Sequence, residues 1–324
     1  MTERFDADWL ALRERFDHAA RSVALARRLA DALPARRPRL VDLGAGAGSL
    51  FRFLAPIIGR GQDWILIDAD ADVLDDAFGR TAAWARRQGF AATAQGDVLS
   101  VATPRGLWRM EARLSDLTQF RSVAETYRRA ERSDTGEGVR LAATPSPGAS
   151  RRPLPQAGEA YGVPEADAVL CSALLDLVSL RWLLNLLDAL RVPFLGCLMV
   201  DGRDVWLPRH PADSIIRAAF RRDQRRDKGF GSALGVTAPF ATLGGLAACG
   251  FATVSAPSDW HIPRTALRMQ RALIEGIADA ARNADPARDA AITAWEAARL
   301  HQAVRGRLAI RIGHRDILGL PQGG

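Results

Sequence analysis

Val41-Asp42-Leu43-Gly44-Ala45-Gly46-Ala47-Gly48-Ser49 is the stretch that decides the fold. It ends a short apolar run, Arg39 to Leu43, turns on three alternating glycines, and opens into Ser49–Ile58 (SLFRFLAPII), which reads as a helix. Glycine lets the backbone pass close to a ligand, and the helix start offers unpaired N–H groups to it. Downstream, Trp64-Ile65-Leu66-Ile67-Asp68 is a second apolar strand ending in an acid, and residues 72–88 carry a helical pattern. Upstream, residues 8–33 place apolar groups at helical spacing until Pro34 and Pro38 stop them. Helix, strand, helix, strand, helix is the order of an α/β doubly wound parallel sheet.

The same pattern continues along the chain. Residues 90–102 read as a small hairpin turning at Gln95-Gly96-Asp97, and Leu107–Leu114 alternates with period two as the third main strand. Residues 167–171 form a buried fourth strand, 179–191 a helix, 194–200 a fifth strand and 211–227 a basic helix. Thr237 is the expected cap of a helix that ends at Gly250. Strands at 251–255 and 307–312 flank a helical excursion over 263–304. The expected architecture is a seven-stranded, mostly parallel sheet with helical additions. Residues 1–38 cap a single domain over 39–324. Between them, about 118–166 is rich in Pro, Gly, Ala and Ser without apolar period, the composition of a disordered insert.

Charge separates the function classes. The net charge is +7, and of 44 basic residues only Lys228 is a lysine. Residues 121–152 hold an excess of +3 and residues 203–228 an excess of +4, so the rest of the chain is balanced. In the second segment Arg221, Arg222, Arg225 and Arg226 alternate with Asp223 and Asp227, the pattern of an ion-paired helix face and not of a phosphate track. Cys171, Cys197 and Cys249 stand singly in apolar surroundings, as buried thiols of a reducing compartment do. His18, His210, His261, His301 and His314 have no metal-ligand spacing, so no metal is expected. No apolar run is long enough to span a membrane, and an N-terminus charged from its third residue does not read as a signal peptide, so a cytoplasmic protein is expected.

A dinucleotide fingerprint, G-x-G-x-x-G, would need glycine where Ser49 stands. The spacing here is G-x-G-x-G, with Asp42 two residues before it. That arrangement resembles motif I of the class I S-adenosylmethionine-dependent methyltransferases. The likeness extends over roughly 39–101, 107–117, 167–201 and 237–313. It implies S-adenosylmethionine as cofactor, with Asp42, Gly44 and Gly46 around its methionine end and Asp68 on the ribose hydroxyls. A carboxylate suits the last role because two neighbouring hydroxyls can each donate to one of its oxygens. The adenine amine falls to Asp116 or, if the third strand lies elsewhere, to Asp97. The fourth strand, running into Ser172, matches the position beside the sulfonium and the acceptor. More finely, residues 9–21, 172–179 and 226–231 are similar to one bacterial methyltransferase group.

The acceptor leaves a fainter trace, since methyl transfer from a sulfonium mostly needs alignment. Asp176 is a candidate general base, and His210, between Pro208 and Pro211, is a second candidate catalytic group. Arg13 and Arg21 on the N-terminal helix, with Arg203 and Lys228 in the segment 203–236, are candidates for holding a carboxylate or phosphate. Trp206 and Phe230 are candidates for stacking on a planar acceptor or closing the lid. The Asp/Asn-Pro-Pro-aromatic signature of amino-methylating nucleic-acid enzymes is absent, Cys171-Ser172-Ala173-Leu174 standing in its place. The first expectation is therefore methyl transfer to a small, anionic molecule under a roof made by 203–236 and the N-terminal helix. An RNA or protein methyltransferase, and a module that binds the cofactor without turnover, are the alternatives.

Overall fold

The computed structural model describes residues 7–119 and 165–322. The expected disordered insert falls almost wholly on 120–164, outside the described residues. Two helices open the described chain, α1 (Ala7–Ala20) and α2 (Val23–Ala32). The sequence pattern read them as one. Ser22 breaks them by capping α2, its hydroxyl accepting from the Leu25 amide at 3.3 Å. Its own amide donates to the buried Asp316 carboxylate at 2.7 Å, so a tertiary contact fixes the break.

The sheet begins with β1 (Arg39–Leu43), α3 (Ser49–Ile58), β2 (Gln62–Asp68) and α4 (Ala71–Arg87). A hairpin, β3 (Ala91–Gln95) and β4 (Val98–Thr103), turns at Gly96-Asp97 and leads into β5 (Gly106–Leu114). After the undescribed segment come β6 (Ala168–Ser172), α5 (Leu180–Ala189), β7 (Phe194–Leu207) and α6 (Asp213–Gln224). The chain closes with α7 (Ala238–Ala248), β8 (Phe251–Pro257), β9 (Trp260–Ile262), α8 (Leu267–Ala284), α9 (Asp289–Val304) and β10 (Ala309–Pro321). Strand order is β3-β4-β5-β2-β1-β6-β7-β10-β8, with β9 paired to β10. β5, β2, β1, β6 and β7 run parallel, while β10 is antiparallel to β7 and β8.

Among the described residues the sheet has ten strands where seven were expected. The seven are present, and the hairpin strands and the short β9 extend them. β7 runs seven residues beyond its apolar core because Asp204–Leu207 pairs with the start of β10. Thr237 precedes α7 as expected, but its hydroxyl donates back to the Leu234 carbonyl at 2.7 Å and makes no cap.

Alternation along the strands sorts the core. Leu40, Trp64 and Leu66 point to one face with Phe51 and Leu54 of α3. Val41, Leu43, Ile65 and Ile67 point to the other with Trp182, Leu183 and Leu186 of α5. Burial on both faces is why these strands read as unbroken apolar runs. A third cluster, Trp206, Trp260, Ile274, Trp295 and Ile310, lies between the extended end of the sheet and α6, α8 and α9. No described helix is long and apolar enough to cross a membrane.

Candidate functional site

The carboxyl ends of the parallel strands carry a cavity of about 620 Å³, where doubly wound sheets place ligands. The Gly44–Ala47 turn forms its floor, Asp68 and Asp70 stand at the end of β2, Asp116 and Leu117 follow β5, and Ser172 to Leu174 follow β6. α1 closes it with Leu10, Arg13 and Asp17, followed by Arg21, and Lys228 and Phe230 also line it. Gly44 and Gly46 have φ of +65° and +53°, in the left-handed region where side chains are strained. A Cβ on Gly44 would also meet Leu174 at 3.3 Å.

Asp68 faces this cavity with a carboxylate already oriented. Its Oδ2 accepts the Gly46 amide at 2.8 Å and its Oδ1 the Asp70 amide at 3.2 Å. Burial raises its pKa, opposed by these amide hydrogen bonds. Each oxygen retains a lone pair for a further donor. Asp116 lines the cavity, and its Oδ1 accepts the Thr118 amide at 2.9 Å. Asp97 lies in the β3–β4 turn and lines neither this cavity nor the one beside it, so of the two candidates Asp116 is the one at the cavity.

Asp42 stands behind the wall. It is 1% exposed within β1, and neither carboxylate oxygen has a hydrogen-bond partner. Burial pushes its pKa up to about 8; Arg21 pulls it down and Asp68 adds to the rise. Arg21, 4% exposed, ties the start of α3 to the end of β6 by donating to Ser49 Oγ at 3.0 Å and Ser172 Oγ at 2.9 Å. Ser172 thus lines the cavity with its hydroxyl held by an arginine. The glycine turn is braced from outside: Arg52 donates to the Ala47 carbonyl at 2.8 Å and to both Glu14 oxygens at 2.6 and 2.7 Å, tying α1 to the turn.

A second cavity, about 260 Å³, adjoins the first, with Arg13, Ala173 and Leu177 in both walls. Asp176, Arg203, Trp206 and His314 line it, as do α6 and the two helices of the excursion. Ala173 and Leu198, at φ +54° and +56°, are non-glycine residues in the left-handed region. The surrounding hydrogen bonds fix both: the Ala173 amide donates to the Cys197 carbonyl at 2.9 Å and the Leu198 amide to Asp316 Oδ1 at 2.8 Å.

Asp176 follows β6 in a turn, ahead of the Ser179-capped α5. Its Oδ1 is buried without a partner. Burial pushes its pKa up to about 6, opposed by its own backbone amide, Arg13 and Lys228. His210 does not join it. His210 lines neither cavity; its amide donates to Asp213 Oδ2 at 2.9 Å and its Nδ1 accepts the Ala212 amide at 3.2 Å, so the ring is part of the turn into α6. The histidine that does line the second cavity is His314, 3% exposed on β10, with Nδ1 unpartnered. Burial lowers its pKa to about 4, aided by Arg13. A lone histidine in a strand carries no spacing signal, so sequence reasoning had no means to select it.

The arginines expected to hold an anion are engaged within the chain. Arg13 donates to Asp17 at 3.0 Å and lies 5.0 Å over the Trp260 ring. Arg203 meets Asp201 at 2.6 Å and Asp259 at 2.7 Å. On α6, Arg221 donates to the Gly202 carbonyl and Arg222 pairs with Asp285 at 2.7 Å; just beyond the helix, Arg226 pairs with Asp223 at 2.7 Å. Lys228 belongs to the first cavity, with Phe230, whereas Trp206 belongs to the second.

No protein-family model matches the chain, and no curated protein does. Among solved structures, an S-adenosylmethionine-dependent methyltransferase from Thiobacillus denitrificans, in complex with S-adenosyl-L-homocysteine, is 12% identical with a TM-score of 0.42, covering 99% of this chain and 100% of that one. A geranyl diphosphate C-methyltransferase from Streptomyces coelicolor is 12% identical with a TM-score of 0.37, over 92% and 80%. A mycolic acid cyclopropane synthase is 10% identical with a TM-score of 0.41, over 92% and 83%. The order β5-β2-β1-β6-β7-β10-β8, with β10 antiparallel and the glycine turn following central β1, is that of the class I S-adenosylmethionine-dependent methyltransferases, and this chain has their fold.

Proposed function

We propose that the chain is a methyltransferase that takes its methyl group from S-adenosylmethionine and gives it to a small molecule. One observation carries this reading: a larger cavity floored by the glycine turn and edged by Asp68 and Asp116 opens beside a smaller apolar one, with Arg13, Ala173 and Leu177 common to their walls. Donor and acceptor then sit side by side, which is what alignment of a substitution requires.

The residues present fit the donor. The bare backbone of Gly44 to Gly46 leaves room that a Cβ and its strain would deny. Asp68, preorganised by two backbone amides, receives the ribose hydroxyls, and Asp116 the adenine amine. Arg21 and Ser172 stand toward the methionine end, with the Asp42 carboxyl buried behind them. S-adenosylmethionine supplies an activated methyl group on a leaving group that departs neutral. Asp176 holds its carboxylate toward the second cavity, where an acceptor proton would go; it carries the general-base role that His210, turned into the α6 corner, does not share. Trp206, Trp260 and Trp295, with α8 and α9, wall that cavity. A pocket of about 260 Å³ favours a small acceptor over an RNA or a folded protein.

Labelled S-adenosylmethionine incubated with the chain and fractionated cell extract tests this reading. Label entering the small-molecule fraction supports it. Label confined to RNA or protein, or entering no fraction, overturns it.

A further inference from the structure

The walls of the second cavity also define the acceptor by what they leave unsatisfied. The cavity is lined largely by apolar groups, among them Trp9, Trp206, Trp260 and Trp295. Among the described residues an anion finds no open cation there. Arg13 is held by Asp17, Arg203 by Asp201 and Asp259, Arg217 by Asp204, and Arg221 by the Gly202 carbonyl. Recruiting any of them to a ligand would strand a partly buried carboxylate or carbonyl, a costly exchange. A cation fares no better. Arg13 lies over Trp9 and Trp260, at 5.9 and 5.0 Å, and Arg299 over Trp206 and Trp295, at 5.3 and 5.9 Å. All four rings therefore have a guanidinium beside them, and a second cation would meet like charge.

Two buried polar atoms of residues lining this cavity have no hydrogen-bond partner, Asp176 Oδ1 and His314 Nδ1. An unpaired buried polar atom costs free energy that a ligand can relieve. A hydroxyl donates and accepts through one atom, so it meets a carboxylate oxygen and a ring nitrogen in either tautomer. We propose that this cavity binds a neutral, largely apolar small molecule that presents a hydroxyl group to Asp176 and His314. This deepens the methyl-transfer reading and rests on it only in naming that molecule the acceptor; the arginine-rich roof thus serves structure, and the anionic acceptor expected from its charge is set aside.

The test is calorimetric titration of the full chain, at neutral pH, with four probes sharing one ring system: 2-naphthol, naphthalene, 2-naphthoate and 2-naphthylmethylammonium. The expected result is tightest binding of 2-naphthol, by about tenfold over naphthalene, the worth of one hydrogen bond to a charged group. Asp176→Leu is expected to abolish that preference for the hydroxyl over naphthalene. Tightest binding of the carboxylate or the ammonium, no gain from the hydroxyl, or no binding of any probe overturns the proposal; the comparison among probes needs no variant. S-adenosyl-L-homocysteine is titrated separately. Its failure to bind would refute the methyl-transfer reading and leave the hydroxyl preference standing, and the converse pattern would do the opposite.

Discussion

Replacing Asp68 isolates the donor site most sharply. Its two oxygens each spend one lone pair on a backbone amide, Gly46 at 2.8 Å and Asp70 at 3.2 Å, and each keeps one for a ribose hydroxyl. A hydrogen bond to a charged group is worth about 1.5 kcal/mol or more, so two of them contribute about 3 kcal/mol. Asp68→Ala therefore weakens S-adenosyl-L-homocysteine binding about 100-fold, at about 1.4 kcal/mol per tenfold. Asp68→Asn keeps an acceptor for Gly46 but loses the charge, and weakens binding about tenfold. Isothermal titration of the three proteins gives the ratios, and a thermal melt of each separates lost binding from lost folding. Alanine binding within about threefold of the parent would refute the assignment of Asp68 to the nucleoside.

Three further outcomes follow from charge and burial. With the Asp176 pKa at about 6, its proton-accepting form is lost below that pH, so the pH–rate profile has an acid limb near 6 that Asp176→Asn removes. The Asp42 pKa lies at about 8, raised above its unfolded value of 3.8; its contribution to stability is thus complete below about pH 4 and lost as pH rises through 8. Asp42→Asn, which mimics the protonated form, accordingly melts higher than the parent at about pH 8, and the gap closes toward pH 5; a gap independent of pH would contradict this. Glu14→Ala strips the bidentate partner from the buried Arg52, costs about 2 kcal/mol in denaturant unfolding, and weakens S-adenosyl-L-homocysteine binding because Arg52 also holds the Ala47 carbonyl.

The central sheet was legible because its strands are buried on both faces, which leaves unbroken apolar runs such as Trp64–Ile67 and Val169–Cys171. The glycine turn was legible because positive φ at Gly44 and Gly46 demands the residue seen. The α1–α2 break was not. Its cause is an amide bound to Asp316, nearly three hundred residues away. Asp68 and Asp116 were found because they end strands, a local property. His314 and the four tryptophans were not assembled in advance, since only the return of β10 along β7 and the packing of α8 and α9 bring them to one cavity. The basic segment 203–228 misled for a similar reason. Sequence counts charges, whereas Asp201, Asp259 and Asp285, which pair with Arg203 and Arg222, lie outside it.

Hydrogen–deuterium exchange of the full chain with and without S-adenosyl-L-homocysteine tests the central claim most directly. The account predicts slowed exchange at 44–50, 68–73, 116–119 and 172–177, the segments that wall the larger cavity. Unchanged exchange at the glycine turn under saturating ligand, or protection confined to other segments, would contradict it.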